Sequence, residues 1–479
     1  MLTQVFKNAF SLILATIIDK LVYVLLFIII ARTLTKTEFG SYSLFLTLMF
    51  IGGMIVNFGM DGFIVREVAK DRSCTKAIFS SAIVLALFFS VFAWPFVIGI
   101  AFLLHYGPEV IFLLSFGGAV FVLMGIGQVA SAIIKAYERM EILAIVGFFT
   151  SIMALVFNLL VLWTGGSLVE LAIVFLVIEG IRSVTFTYIV HRRFVPVLFR
   201  FDNVIMMRIL KLTVPFALLV AYGALFHRID LLMMGWLRPF EEVAIYSVAA
   251  RFADFLAVIS GSLVGAFYPV LSKKTNSPNE ELWYLYNDSI GIFAVLGFGA
   301  ALGLMVLAKP IIILLFDDKY IMAAMALRWL AWAFLFSVLS GPIGILLLAV
   351  GDQMNRLIIL SVSVLGVNIV LNLWLIPRYS YNGAALATFL SAVLGFIGRL
   401  MLSRTYFGHV SNLFHITWRA CLASLVMVLV LTLLSVLHVV FLIILGGITY
   451  FLVLALLGEF RQARYSPLLA KISQIGGRH

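Results

Sequence analysis

The sequence predicts an all-α integral membrane protein of about 14 transmembrane helices, and three observations predict it. Apolar stretches of about twenty residues, the length a helix needs to cross a bilayer, recur between Phe10 and Leu457. Hydrophobic residues make up 64% of the chain and charged residues 11%. Lys and Arg are distributed unevenly over the joints between the stretches. A helix satisfies its own backbone hydrogen bonds in lipid, so a chain of such runs reads as a multi-pass bundle. No separate soluble domain is expected, because the longest polar joints, His191 to Arg208 and Ser272 to Glu281, are too short to fold alone.

In chain order the spans are expected near 9–31, 42–64, 78–103, 110–134, 142–163, 168–190, 209–235, 244–271, 285–308, 324–349, 356–376, 383–403, 416–437 and 439–457. The first run is longer than a signal-peptide core and lacks a small-residue cleavage site, so it is read as a retained helix. The segment Pro310 to Phe316 reads either as a short re-entrant piece or as an extension of its neighbour. The last two spans are divided only by His438.

A net charge of +11 does not point to nucleic acid in such a chain, since basic residues in membrane proteins mark the cytoplasmic joints. Alternating the joints from a cytoplasmic N-terminus puts twenty Lys and Arg inside, among them Lys7, Arg66, Lys70, Lys135, Arg208 and Arg356. Six fall outside: Arg32, Lys36, Arg238, Lys309, Lys319 and Arg378. Both termini are therefore expected in the cytoplasm, as an even number of spans requires. Cys74 and Cys421 lie too far apart in kind, one in a joint and one in a span, to suggest a disulfide framework.

Two echoes indicate an internal duplication. Glu38, Phe39, Gly40, Ser41, Tyr42, Ser43 after span one matches Glu242, Val243, Ala244, Ile245, Tyr246, Ser247 after span seven, 204 residues on (242 − 38). Met140 and Asn158 match Met354 and Asn372, 214 residues on (354 − 140). The expected organisation is an N-terminal six-helix lobe over 1–205, a C-terminal six-helix lobe over 206–405, helices 13 and 14 over 406–460 and a basic tail over 461–479. Repeats with an even number of helices run in the same sense, so the lobes are expected to be related by a pseudo-two-fold axis along the membrane normal, around a central cavity.

Charged residues within spans cost about 2.5 to 3.5 kcal/mol near the bilayer centre and so call for a partner or a watery cavity. They concentrate in the first two helices of each half: Asp19 and Lys20, Asp61 before Arg66, then His227, Arg228 and Asp230, then Arg251 and Asp254. Arg251 with Asp254, and His227 with Asp230, stand three apart and either pair locally or act on a ligand. Asp19 and Lys20 are adjacent and point about 100° apart, which favours a cavity-facing Lys20. Arg182, Arg328, Arg399 and Arg419 read as snorkelling side chains, and Asn57, Asn158, Asn368 and Asn372 as polar contacts between helices.

No G-x-x-x-x-G-K-[ST] phosphate loop, H-E-x-x-H, C-x-x-C or D-x-D occurs, and the largest outer joint, near Lys309 to Met322, is short. We therefore expect no catalytic residues, no metal and no cofactor, and read the chain as a transporter, not an enzyme.

One segment is more specific. Val367, Asn368, Ile369, Val370, Leu371, Asn372, Leu373, Trp374, Leu375, Ile376, Pro377, Arg378, Tyr379, then Asn382, Gly383, Ala384, Ala385, Leu386, Ala387, Thr388 resembles the signature of bacterial polysaccharide flippases. These are the O-antigen and capsule repeat-unit transporters of the multidrug/oligosaccharidyl-lipid/polysaccharide superfamily. Arg32 to Tyr42, Ile229 and Asp230 with Ile245 to Ser247, and Leu314 to Tyr320 agree with it. The resemblance covers nearly the whole chain; one departure is Ser380, where the family usually has Gly after the tyrosine.

The resemblance implies a cargo of oligosaccharide linked to a polyprenyl diphosphate, moved from the cytoplasmic to the outer leaflet of the inner (plasma) membrane for O-antigen, capsule or exopolysaccharide assembly. It also implies partners among membrane lipids, the polysaccharide polymerase and the chain-length machinery, and no nucleic acid. For such a cargo the residues expected to bind substrate are Lys20, Arg66, Arg228, Arg251 and Asn57, and the candidate ion-coupling carboxylates are Asp61, Asp230 and Asp254. A lipid II flippase and a multidrug or small-solute antiporter on the same scaffold are the alternatives.

Overall fold

The computed structural model describes residues 21–196, 202–273, 279–350, 354–407 and 412–461. Asp19, Lys20, the start of span one and the basic tail from residue 462 lie outside the described residues. Those described are overwhelmingly helical, and no strand occurs among them. Ten of their helical stretches are long and apolar enough to cross a membrane.

Within the unit that extends to Ala244, α1 is described from Leu21 to Thr33. It is followed by α2 (Lys36–Asn57), α3 (Met60–Lys70), α4 (Thr75–Leu103), α5 (Pro108–Ser115), α6 (Gly117–Ala136), α7 (Met140–Trp163), α8 (Leu168–Arg193) and α9 (Asn203–Leu237). The start of α2 holds the first copy of the echo. Thr35 caps the helix and Glu38 bonds back to the Thr35 amide, a capping box that satisfies orphan donors at both positions. Phe39 to Phe45 are then buried in an unbroken run. The equivalent Val243 to Ala249 in α10 (Phe240–Lys273) are also buried throughout.

Span two, expected as one helix over 42–64, is broken. Phe58 (φ 43°) and Gly59 (φ 73°) are consecutive left-handed residues, so α2 ends and α3 restarts on a new axis. Glycine takes this conformation freely; phenylalanine does not, and its ring stacks on Phe89 with centroids 4.5 Å apart. Against this pair of helices pack α4, α6 and α9. Ser90 of α4 ties the layer together by donating to the Phe121 carbonyl of α6 at 3.0 Å.

The second unit, from Ile245, holds α11 (Asn279–Phe316), α12 (Ala323–Val350), α13 (Met354–Phe407), α14 (Leu413–Leu433) and α15 (Val439–Leu456). Pro310 lies inside α11, so Pro310 to Phe316 extends its neighbour and is not a separate re-entrant piece. The core of this unit is apolar and aromatic, with Tyr286, Phe293, Leu335 and Val338 at its centre and Trp283, Tyr286 and Phe407 in mutual ring contact. The last two helices pack on α11, where Gly299 faces the Tyr450 ring and the Tyr450 hydroxyl donates to the Val295 carbonyl at 2.6 Å.

Spans eleven and twelve form the two arms of α13, divided by Ser380 at φ 52° and ψ −134°. That backbone conformation is one glycine adopts cheaply and serine does not. Just beyond it, Gly383 sits so close to the preceding arm that a Cβ there would fall 2.2 Å from the Leu375 carbonyl oxygen.

Candidate functional site: a polar track along a broken helix

The break between α2 and α3 exposes helix-terminal backbone groups inside a segment otherwise built for lipid, and polar side chains gather there. Asn57 Nδ2 donates to Gln128 Oε1 of α6 at 3.1 Å, and Gln128 Nε2 reaches the Gly53 carbonyl at 3.4 Å. One turn further on, Lys135 Nζ meets Asp61 Oδ1 at 2.8 Å. Between the two contacts lies a small hollow lined by Asn57, Asp61, Gln128 and apolar neighbours. The structure thus brings together Asn57 and Asp61, two of the expected site residues, and supplies each with a partner on α6.

Towards the end of α3 the track becomes cationic. Glu67 accepts from Arg208 Nη2 of α9 at 2.9 Å and Arg66 Nε at 3.2 Å, with Lys70 Nζ at 3.6 Å. Its side chain is only 13% exposed, while all three cations remain open to solvent.

Along α9, Arg228 lies with its guanidinium 5.2 Å from the centre of the Phe50 ring of α2, a cation–π contact that keeps a charge beside the apolar stretch. Asp230, two residues on, is 4% exposed. In the second unit Arg251 and Asp254 approach to 3.6 Å on α10, the pairing their spacing allows, and both side chains stay about one-quarter to one-third exposed.

Arg182 differs from the snorkelling expectation. It stands 11 residues before Arg193 at the end of α8 (193 − 182), roughly 16 Å along the axis at 1.5 Å per residue. Its stem does not reach outwards: Nη1 binds Glu179 at 2.9 Å, and Nη2 donates to the Tyr23 hydroxyl of α1 at 2.6 Å and Thr150 of α7 at 3.4 Å. Arg419 likewise lies 3.6 Å from Glu459, a nearly buried carboxylate. Asn57 and Asn368 act as the expected polar contacts between helices, Asn368 donating to Ser391 of the facing arm at 3.2 Å, whereas the bonds of Asn372 to Asn368 and of Asn158 to the Ala154 carbonyl stay within one helix.

At one end of the first unit the start of α2 meets the corner between α9 and α10. Tyr106 donates to the Leu232 carbonyl at 2.7 Å, Thr37 donates to Glu241, and a Cβ on Gly40 would fall 1.9 Å from the Phe240 carbonyl oxygen. Only glycine allows that approach.

Gln128, Lys135, Glu67, Arg208 and Glu179 were not singled out from the sequence as site residues. Gln128 and Glu179 carry a signal, each being a polar residue within an apolar run. Lys135 and Arg208 read as ordinary joint charges, because their partners lie 74 and 141 positions away.

The sequence matches the family model of the polysaccharide biosynthesis protein family over residues 5–275, and the MatE model over residues 215–374. Among solved structures, the lipid II flippase MurJ in an inward closed conformation is similar at 15% identity, covering 94% of this chain and 98% of its own, with a TM-score of 0.78. An inward-facing multidrug resistance MATE family transporter of the MOP superfamily shares 17% identity over 81% of this chain and 95% of its own, at a TM-score of 0.67. A MOP superfamily transporter from Pyrococcus furiosus, described as having a binding pocket of reverse polarity, shares 16% identity over 84% and 96%, at a TM-score of 0.57. At such identities the likeness is one of fold. Among curated proteins none matches.

Proposed function

The chain belongs to the polysaccharide biosynthesis protein family, within the MOP superfamily of membrane transporters and flippases, and from that premise we propose that it carries polyprenyl-diphosphate-linked oligosaccharide repeat units from the cytoplasmic to the outer leaflet by alternating access. The observation that carries the reading is the polar and cationic track of Asn57, Asp61, Arg66 and Arg228 beside a helix broken within a membrane-spanning stretch.

The physical case is one of desolvation. A diphosphate and its sugars lose their water at prohibitive cost in hydrocarbon, and a lining of fixed cations and amides replaces it. In this reading Arg228 and Arg251, with Lys20, hold the diphosphate, Arg66 receives it at the cytoplasmic mouth and Asn57 meets the sugars, while the prenyl chain stays in lipid. Guanidinium groups suit the task because they bind phosphate oxygens in pairs. With an interior-negative potential, moving two negative charges outwards releases roughly 4 to 5 kcal/mol per 100 mV, so the potential alone biases export. Asp61, Asp230 and Asp254 are the groups through which a proton or sodium gradient would couple.

The same reading places the protein in the inner membrane with cytoplasmic termini, working beside a polysaccharide polymerase and chain-length machinery in O-antigen, capsule or exopolysaccharide assembly. Transfer in proteoliposomes, followed with an impermeant sugar-cleaving enzyme, tests the cargo. Outward transfer of a lipid-linked oligosaccharide supports the proposal. Selective transfer of lipid II makes the chain a lipid II flippase, and competition by cytotoxic cations without glycan transfer makes it a small-solute antiporter.

A further inference from the structure

The end of α3 and the beginning of α9 combine two features beyond Arg66, the one residue the cargo reading takes from this region. Lys70 and Arg208 share Glu67, which Arg66 also contacts, and among the described residues neither Lys70 nor Arg208 has another carboxylate partner. Lys70 and Arg208 thus place two cations on one carboxylate, and Glu67 is the least exposed member of the group. Directly beside Arg208, the first turns of α9 present Val204, Met207 and Leu212, all exposed, along an open groove shared with Arg208 and Lys211. A cationic cluster flanked by an apolar strip fits an amphiphile with an anionic head.

We propose that Arg66, Lys70 and Arg208 form a loading site for the carrier's diphosphate, in which Glu67 is a resident carboxylate that the diphosphate displaces. The proposal rests on the reading of the cargo as a lipid-linked diphosphate. Charge decides between occupants: a diphosphate diester brings two negative charges to a cluster with excess cations, whereas the phosphodiester of a bulk phospholipid brings one. Arg208 offers the forked geometry that binds two phosphate oxygens at once. The prenyl chain next to the head then lies along Val204, Met207 and Leu212. Displacing Glu67 also releases the ion pair that ties α3 to α9, so loading loosens the cytoplasmic end of the polar track.

Cys74 reports on the site, since its thiol lies 4.0 Å from the Glu67 carbonyl and donates to the Asp71 carbonyl at 2.8 Å. In the full chain carrying Cys421→Ser, the rate of maleimide modification of Cys74 is measured with farnesyl diphosphate, inorganic diphosphate, phosphatidylglycerol or farnesol. Farnesyl diphosphate alone is expected to slow modification at low concentration. Arg208→Gln and Lys70→Gln should each raise the half-protecting concentration about tenfold, the size of one lost charge-assisted contact. Glu67→Gln should lower it several-fold, because the competing carboxylate is gone.

Equal protection by phosphatidylglycerol overturns the proposal in favour of an anchor for bulk lipid, and equal protection by inorganic diphosphate removes the apolar strip from it. Absence of protection, or a Glu67→Gln variant that weakens binding as Arg208→Gln does, also overturns it. The cargo reading fails separately: Cys74 protection without transfer of any lipid-linked glycan keeps the site and discards the cargo, whereas transfer without protection does the reverse.

Discussion

Each unit holds ion pairs on its membrane-spanning helices, and the Asp61–Lys135 and Arg251–Asp254 pairs are built differently. In the first unit, ion pairs and polar contacts cross between helices: Asp61 of α3 with Lys135 of α6, Glu67 of α3 with Arg208 of α9, Arg182 of α8 with Tyr23 of α1. In the second, Arg251 and Asp254 pair within one turn of α10, and the contacts between elements are Arg419 with Glu459 and, across the two arms of α13, Asn368 with Ser391. A pair between helices resists their separation, while a pair within a helix travels with it. The Asp61–Lys135 and Glu67–Arg208 pairs therefore tie helices together, and the Arg251–Asp254 pair does not.

The largest effects are expected at two glycines, one in each unit. Gly383→Ala puts a Cβ 2.2 Å from the Leu375 carbonyl oxygen and should cost about 3 kcal/mol or more, seen as a lower melting temperature in detergent. Gly40→Ala meets the Phe240 carbonyl oxygen at 1.9 Å, but between helices that can part. It should open that contact instead of unfolding the unit, so a cysteine introduced at Thr37 should gain reactivity towards an impermeant thiol reagent. Equal loss of melting temperature in both variants would remove the distinction between ties and fixed structure.

Next in size are the ion pairs. Asp61→Ala or Lys135→Ala should each cost about 1 to 3 kcal/mol, between the limits for exposed and buried pairs, and a double-mutant cycle should show coupling. Arg251→Ala and Asp254→Ala, at a looser 3.6 Å contact within one helix, should each cost about 0 to 1 kcal/mol. Similar coupling in both cycles would contradict the contrast between the two pairs.

A smaller gain is expected from relieving strain. Ser380→Gly should raise stability by about 1 kcal/mol, since glycine adopts φ 52° and ψ −134° without a Cβ penalty. An unchanged or lower melting temperature would mean that the contacts of the serine outweigh its backbone cost.

Most of the fold was legible because lipid imposes strict rules on sequence. Long apolar runs marked the helices, and the 204-residue echo marked two helix starts that prove to be buried in the same way. The α2–α3 break was not read, although Asn57, Phe58 and Gly59 carry a turn signal, because a hydropathy window averages over a two-residue interruption. Within one helix, spacing foretold the Arg251–Asp254 contact. Spacing holds no information about a partner on another helix, so Gln128, Lys135 and Arg208 became visible only when the helices were packed. Arg182 is a further case: it stands 11 residues before the end of α8, and Tyr23, Thr150 and Glu179, which hold it there, become visible only in the packed structure.

The central claim is that fixed cations within the membrane-spanning helices carry a lipid-linked diphosphate. The most direct test is the rate of outward transfer of a lipid-linked oligosaccharide in proteoliposomes for Arg228→Ala and Arg251→Ala, each matched to the unaltered chain in melting temperature. The account predicts that both variants remain folded and lose transfer by about tenfold or more, as expected for a lost charged contact to phosphate. Transfer at the unaltered rate in both would contradict it.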